Sequence, residues 1–254
     1  MKKYVSQTLT IENSKEIGKP NEDLFLVDDV HRIYILLDGV SRDRVNGIYP
    51  NPSPSRRAAE IFARAAYRHI ISREGEASDF QAVLLEAAEA ANLAVAAENH
   101  LNYGGPDFFL PGTVGILSCI RDDTLYYAYN GDCLGVLVGE ERLAFTQSQT
   151  KNVAARRGEF TARQIRGEIC NSPTHPCAYG VFNGDPAAMK LVRTGAMDLA
   201  PFRRVLLYTD GFENTLSGLG ALELLSVTPR QIEAMSRAEK NADDRTVIII
   251  DIHD

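Results

Sequence analysis

Two aspartate–glycine pairs stand where apolar runs stop. Ile33-Tyr34-Ile35-Leu36-Leu37 leads into Asp38-Gly39, and Val205-Leu206-Leu207-Tyr208-Thr209 leads into Asp210-Gly211. More carboxylates sit beside other apolar runs. Glu22-Asp23 precede residues 24–27, Asp243-Asp244 precede residues 246–252, and Asp107 lies in the loop before Thr113. Aspartates gathered at strand ends suit hard cations such as Mg²⁺ and Mn²⁺, which take carboxylate, carbonyl and water oxygens. Two such ions about 3.5–4 Å apart can activate a water between them. A plainer reading exists for each motif. Asp-Gly is a hairpin turn when strands flank it, and an acidic pair beside a strand is a solvated turn. Asn130-Gly131 fits the hairpin, because another apolar run begins at Cys133. Asp38-Gly39 fits it badly, because a long polar loop follows. Asp210-Gly211 leads through Phe212-Glu213-Asn214-Thr215 toward a helix. Local sequence leaves both readings open.

Other chemistries lack their residues. No cysteine has an arginine six positions on, so a cysteine phosphatase loop is missing. No glycine-rich loop ends in Gly-Lys-Ser or Gly-Lys-Thr, and no Gly-x-Ser-x-Gly elbow occurs. The five histidines are scattered. Cys170, His175 and Cys177 lie close together, but a structural zinc site needs four ligands and no Cys-x-x-Cys pair is present. Cys119 and Cys133 lie in apolar runs and read as small core residues.

The elements that must position the carboxylates follow from pattern. Runs at 8–12, 24–27 and 33–37 read as strands. Residues 41–55 lack periodicity and read as a long functional loop. Helical periodicity covers 55–71, and a capping box at 78–81 opens a second helix to about 99. Strands at 113–120, 125–129, 133–138 and 143–146 read as an antiparallel meander. Residues 147–188 are a polar excursion with one short helix opened by Thr161-Ala162-Arg163-Gln164. A strand at 205–209, a helix from Thr228-Pro229 to about 240 and a final strand at 246–252 complete the chain. Hairpin-joined strands with paired helices predict an α+β sandwich of antiparallel sheets with helices outside. With 254 residues and no linker, residues 1–254 read as a single domain.

Bulk composition narrows the partners. A net charge of -7 and a pI near 5.3 argue against nucleic acid and anionic membranes, which favour a basic face. No run of roughly 18 apolar residues appears, and the start lacks the apolar core of a signal peptide. Cytoplasmic localisation with reduced thiols is expected.

Together these motifs resemble the metal-dependent serine/threonine phosphatases of type 2C, in their compact bacterial form. The matches are Asn21-Glu22-Asp23, Leu36-Leu37-Asp38-Gly39, Pro111-Gly112-Thr113, Asn130-Gly131-Asp132, Tyr208-Thr209-Asp210-Gly211 and Asp243-Asp244-Arg245-Thr246. They fall in the family's order along nearly the whole chain. The resemblance implies a four-layer α-β-β-α sandwich of two antiparallel sheets flanked by paired helices. It also implies two Mn²⁺ or Mg²⁺ ions with a possible third. By motif position, Asp38 would bridge the ions and the Gly39 carbonyl would bind one. Asp23 would act mainly through water, and Asp210 and Asp243 would hold the other ion. Asp107 would support the third, Glu22 would lie near the centre, and Asp132 would be structural. Asp38 and Asp210 are the expected catalytic residues. The implied reaction is hydrolysis of phosphoserine or phosphothreonine in proteins, through a water between the metals and without a phosphoenzyme.

The chain also departs from the family. Gly18 and Lys19 stand where relatives place a phosphate-gripping arginine. Lys19 supplies charge without the bidentate fork, and Arg42 or Arg44 is the expected substitute. Thr146-Gln147-Ser148-Gln149 replaces a stretch where relatives often carry aspartate and histidine. These departures keep two other readings open: a phosphatase-like regulatory module that binds a partner without turnover, and a hydrolase of small phosphorylated molecules. The 147–188 excursion is the expected flap for substrate selection.

Overall fold

The computed structural model describes residues 2–14, 18–40, 48–75, 78–103, 109–238 and 243–254. Among the described residues, ten strands form two five-stranded sheets in which every strand pairing is antiparallel. One sheet runs β1 (Lys3–Ile11), β10 (Arg245–His253), β9 (Phe202–Tyr208), β6 (Leu134–Gly139), β7 (Arg142–Ala144). The other runs β2 (Leu24–Asp28), β3 (Ile33–Gly39), β4 (Thr113–Arg121), β5 (Thr124–Asn130), β8 (Arg193–Asp198).

The unbroken apolar runs are explained by burial on both faces, the pattern of a strand covered above and below. In β3, Ile33, Ile35 and Leu37 pack toward α1 (Pro54–Ser72) and α2 (Phe80–Asn102). Tyr34 and Leu36 face the opposing sheet, where they meet Leu207, Ile248 and Ile250. β10 alternates in the same way. Val247 and Ile249 pack with Leu224 and Ile232, from the short helices α6 (Ala221–Ser226) and α7 (Pro229–Ser236). The result is helix, sheet, sheet, helix, as expected. By length and composition α2 could cross a bilayer, yet Val83, Leu84, Ala87, Ala91 and Val95 are buried in the helix–sheet core.

Several expectations need correction. Asn130-Gly131 is no hairpin turn. β5 pairs with β4 and β8, whereas β6 pairs with β7 and β9, so the chain changes sheets between them. Gly131 makes the crossing with φ +86°, a conformation that residues with a Cβ rarely adopt. The meander is therefore split between the two sheets. The cap of α2 is Asp79 rather than Ser78. Its carboxylate accepts from the Gln81 and Ala82 amides, because a carboxylate is at least as good an N-cap as a hydroxyl. The last helix stops at Ser236, and its expected reach to 240 runs beyond the described residues. β8 had no expectation at all. It is an edge strand whose residues are mostly exposed, so its sequence carries little apolar alternation. The 147–188 excursion holds the expected Thr161–Gln164 capping box, and also the helix α3 (Lys151–Ala155), which pattern reading did not find.

Candidate metal centre

Strand register gathers the carboxylates at one end of the sandwich. Across the second sheet, Leu24, Leu37, Gly115 and Asn130 stand in one row. The next positions outward are Asp23 before β2, Asp38 on β3, and Gly131-Asp132 after β5. Period two puts Asp38 in the interior row that begins with Tyr34 and Leu36. It is the point at which that row turns from apolar to charged. In the first sheet Val247, Tyr208 and Leu134 align. Beyond them lie Asp243-Asp244, Thr209-Asp210 and Asp132. Gly211 lets two of these segments touch, since a Cβ there would sit 2.0 Å from the Asp244 carbonyl oxygen.

Asp38, Gly39, Asp132, Asp210 and Asp243 line a cavity of about 350 Å³. The carboxylates ring this volume: among the described residues no three Asp, Glu, His or Cys side chains converge as a ready-made chelate. Asp23 is 2% exposed and stands behind the ring. One of its oxygens accepts from the Thr209 hydroxyl at 2.9 Å, while Oδ1 is buried without a partner. Its backbone carbonyl accepts from Arg56. Thr113 donates to the Asp38 carbonyl at 2.7 Å and steadies the end of β3. Thr150, just before α3, donates to Asp132 at 3.0 Å.

Electrostatics mark this ring as short of positive charge. Burial, then the charges of Asp23, Asp210, Asp132 and Asp243, push the Asp38 carboxyl well above its ordinary range. Burial and the nearby Asp244 push Asp23 up to about 8. Asp210 is open to the cavity yet deep among protein atoms. Loss of bulk water, with Asp132, Asp243 and Glu213 nearby, pushes it up to about 7. Burial likewise raises Asp132 against the pull of the Thr150 hydrogen bond. Like charges crowded in this way cannot all ionise without a counter-charge. An orphaned carboxylate oxygen and a ring of oxygen-only donors fit divalent Mg²⁺ or Mn²⁺.

The expected site residues divide into three groups. Asp23, Asp38, Gly39, Asp210 and Asp243 come together at this end. Asp107, Arg42 and Arg44 lie outside the described residues. Lys19 is placed differently from a residue awaiting substrate. It is 8% exposed, with Nζ 2.9 Å from Asp243, 3.3 Å from Asp244 and 3.5 Å from Glu22. Burial alone would lower its pKa, but the Asp243 hydrogen bond and the three acidic charges outweigh it and hold the ammonium above the ordinary lysine range. Asp244, buried beneath, also accepts from the amides of Asn13 and Glu22.

Two residues were missed. Asp132, read as structural, is on the cavity wall. The signal was its Asn-Gly-Asp context, which a hairpin reading made look like a turn. Arg157, from the excursion, lines the same cavity, and nothing in its local sequence announced that.

Comparison with known proteins gives the fold. No protein-family model matches the chain, and no curated protein does. Solved structures do. The catalytic domain of the serine/threonine protein phosphatase PstP in complex with two manganese ions aligns with TM-score 0.73 and 19% identity over 100% of both chains. The Mycobacterium tuberculosis serine/threonine phosphatase PstP/Ppp aligns with TM-score 0.69 and 20% identity over 99% of each. Serine/threonine phosphatase Stp1 from Staphylococcus aureus aligns with TM-score 0.64 and 16% identity, covering 98% of this chain and 95% of that one. The architecture is thus the α+β sandwich seen in serine/threonine phosphatases of type 2C.

Proposed function

We propose that the chain is a metal-dependent phosphatase acting on phosphoserine and phosphothreonine in proteins. The observation that carries this is the ring of crowded, cation-deficient carboxylates around a cavity at the strand ends, in a fold shared with phosphatases, one of them holding two manganese ions. Asp38, the Gly39 carbonyl, Asp132, Asp210 and Asp243 would hold Mn²⁺ or Mg²⁺, with Asp23 completing the set from behind. When bound, such a pair of ions supplies an activated water and charge compensation for the phosphoryl oxygens.

The chain's own residues do the positioning. β3 fixes Asp38 on a strand whose other residues are all buried, which holds a ligand more rigidly than a loop does. Thr209 fixes one oxygen of Asp23, leaving the other aimed at a partner. Lys19 offsets part of the charge of Asp243 and Asp244, so that Asp243 stands at the cavity edge with its repulsion of the others reduced. The excursion at 147–188 contributes Val153, Ala154 and Ile165 to one side of the cavity. We take it as a flap within a single phosphatase domain.

A regulatory module without turnover is the second reading. The engagement of Lys19 by three carboxylates favours it, since that lysine is not open to grip phosphate. One assay separates the two. Purified protein with Mn²⁺ is offered an aryl phosphate and a phosphothreonine peptide. Metal-dependent release of phosphate supports the enzyme. Folded protein that binds Mn²⁺ and releases none supports the binding module.

A further inference from the structure

We propose that Arg157 is the residue that grips the phosphate group of the substrate, reaching the site from the excursion rather than from the N-terminal segment. This rests on the phosphatase reading above and names a substrate-positioning residue for the same cavity.

The first observation is location. Arg157 opens the short 3-10 turn Arg157–Glu159 after α3 and lines the same cavity as Asp38, Asp132, Asp210 and Asp243. It is the single cation among the described residues lining that cavity. Its surroundings have a built position. Gln149 accepts from the amides of Gly131 and Gly180 at 3.0 Å each, and Thr150 bonds Asp132. Val153 packs with Ile169 and Cys177 in a small core of its own. The segment carrying Arg157 is therefore tied to the loop that carries Asp132.

The second observation is availability. Other cations near this end are engaged. Lys19 is held by three carboxylates, and Arg56 donates to the Asp23 carbonyl and pairs with Glu60. The neighbouring Arg156 is bridged to Glu159 at 2.6 Å and lies over the Phe160 ring. Arg157 has no such partner among the described residues, and its side chain is exposed. The acidic ring disfavours an anion on its own. A phosphate held there needs cations on both sides: the metal ions against the carboxylates, and a guanidinium across from them. A guanidinium forks onto two phosphate oxygens, which an ammonium cannot do.

The test uses the full chain loaded with Mg²⁺ and two titrations. Inorganic phosphate binding is followed by calorimetry, and hydrolysis of an aryl phosphate is followed over a range of concentrations. Arg157→Ala is expected to weaken phosphate binding and raise KM by on the order of tenfold, with kcat changed little. Arg157→Lys should recover part of the loss. Metal binding should be unchanged in both, and Arg156→Ala should behave as wild type. Phosphate binding by Arg157→Ala equal to wild type overturns the proposal, as does a wild type that binds no phosphate. If wild type hydrolyses nothing, the phosphatase reading falls, while the phosphate titration still decides the role of Arg157.

Discussion

Two acidic clusters lie side by side at one end of the sandwich, and they are balanced in opposite ways. In the first, Glu22, Asp243 and Asp244 surround Lys19, and the chain supplies its own cation. In the second, burial and then neighbouring acidic charges push the carboxyls of Asp23, Asp38, Asp132 and Asp210 upward, with no cation among the four. Asp243 belongs to both. A buried charge is tolerated when it is paired, so the first cluster is structural and closes the N-terminal segment onto β10. Among the described residues, Asp23, Asp38, Asp132 and Asp210 have no paired cation, which is the condition expected of a site built for an external cation. The comparison also explains why Lys19, so close to the centre in sequence terms, is not a free phosphate ligand.

The comparison can be broken from either side. Lys19→Met removes the internal cation and leaves three carboxylates uncompensated. It should cost about 3–5 kcal/mol of stability, read by urea unfolding. A loss under about 1 kcal/mol, the range of an exposed ion pair, would place this cluster on the surface in energetic terms. Asp38→Asn acts in the opposite sense. It should lower turnover by at least about 100-fold, roughly 2.7 kcal/mol of barrier, while raising the melting temperature of metal-free protein because repulsion is relieved. A variant that is inactive and also destabilised without metal would contradict the charge argument.

pH sharpens the contrast. The folded carboxyls of Asp23 and Asp210 are pushed up to about 8 and 7, from an ordinary 3.8. Between these values the folded, metal-free protein binds more protons than the unfolded chain, so its stability should fall as pH rises from about 4 to 8. Added Mn²⁺ should stabilise most at the upper end of that window and least near pH 4, where protons occupy the same oxygens. Thermal melts at pH 5 and pH 8, with and without Mn²⁺, check this. Metal-free protein that is more stable at pH 8 would reverse the sign.

Smaller effects follow from the supports. Thr150→Val removes the hydroxyl bonded to Asp132, and outer contacts of this type carry about 10–100-fold in metal affinity. The lower end is expected here, since Asp132 would be one ligand of several, and a Mn²⁺ titration measures it. Asp79→Ala, at the far cap of α2, should cost about 1 kcal/mol of stability and leave metal binding unchanged.

Much of this was readable from residues alone, and for identifiable reasons. β3 and β10 are buried on both faces, so their runs are apolar throughout and stand out. Asp38 and Asp210 are conspicuous because each ends such a run. Asp132 was hidden because Asn-Gly before an apolar strand is also how a hairpin is written. Only the sheet pairing distinguishes a turn within a sheet from a crossing between two. Lys19 was misread because its three partners are brought together by the meeting of residues 19–22 with 243–244, a contact spanning more than two hundred residues. Arg157 was invisible because the cavity it faces is assembled from both sheets. Edge strand β8 was lost because exposed strands carry little apolar pattern.

The second cluster is expected to hold divalent cations. Calorimetric titration of Mn²⁺ into the purified chain at pH 7.5 tests it most directly. The account predicts binding of about two ions per chain, lost from Asp38→Asn while that variant remains folded and the Lys19 cluster intact. Absence of Mn²⁺ and Mg²⁺ binding at millimolar concentration by folded wild-type protein, or full binding by Asp38→Asn, would contradict it.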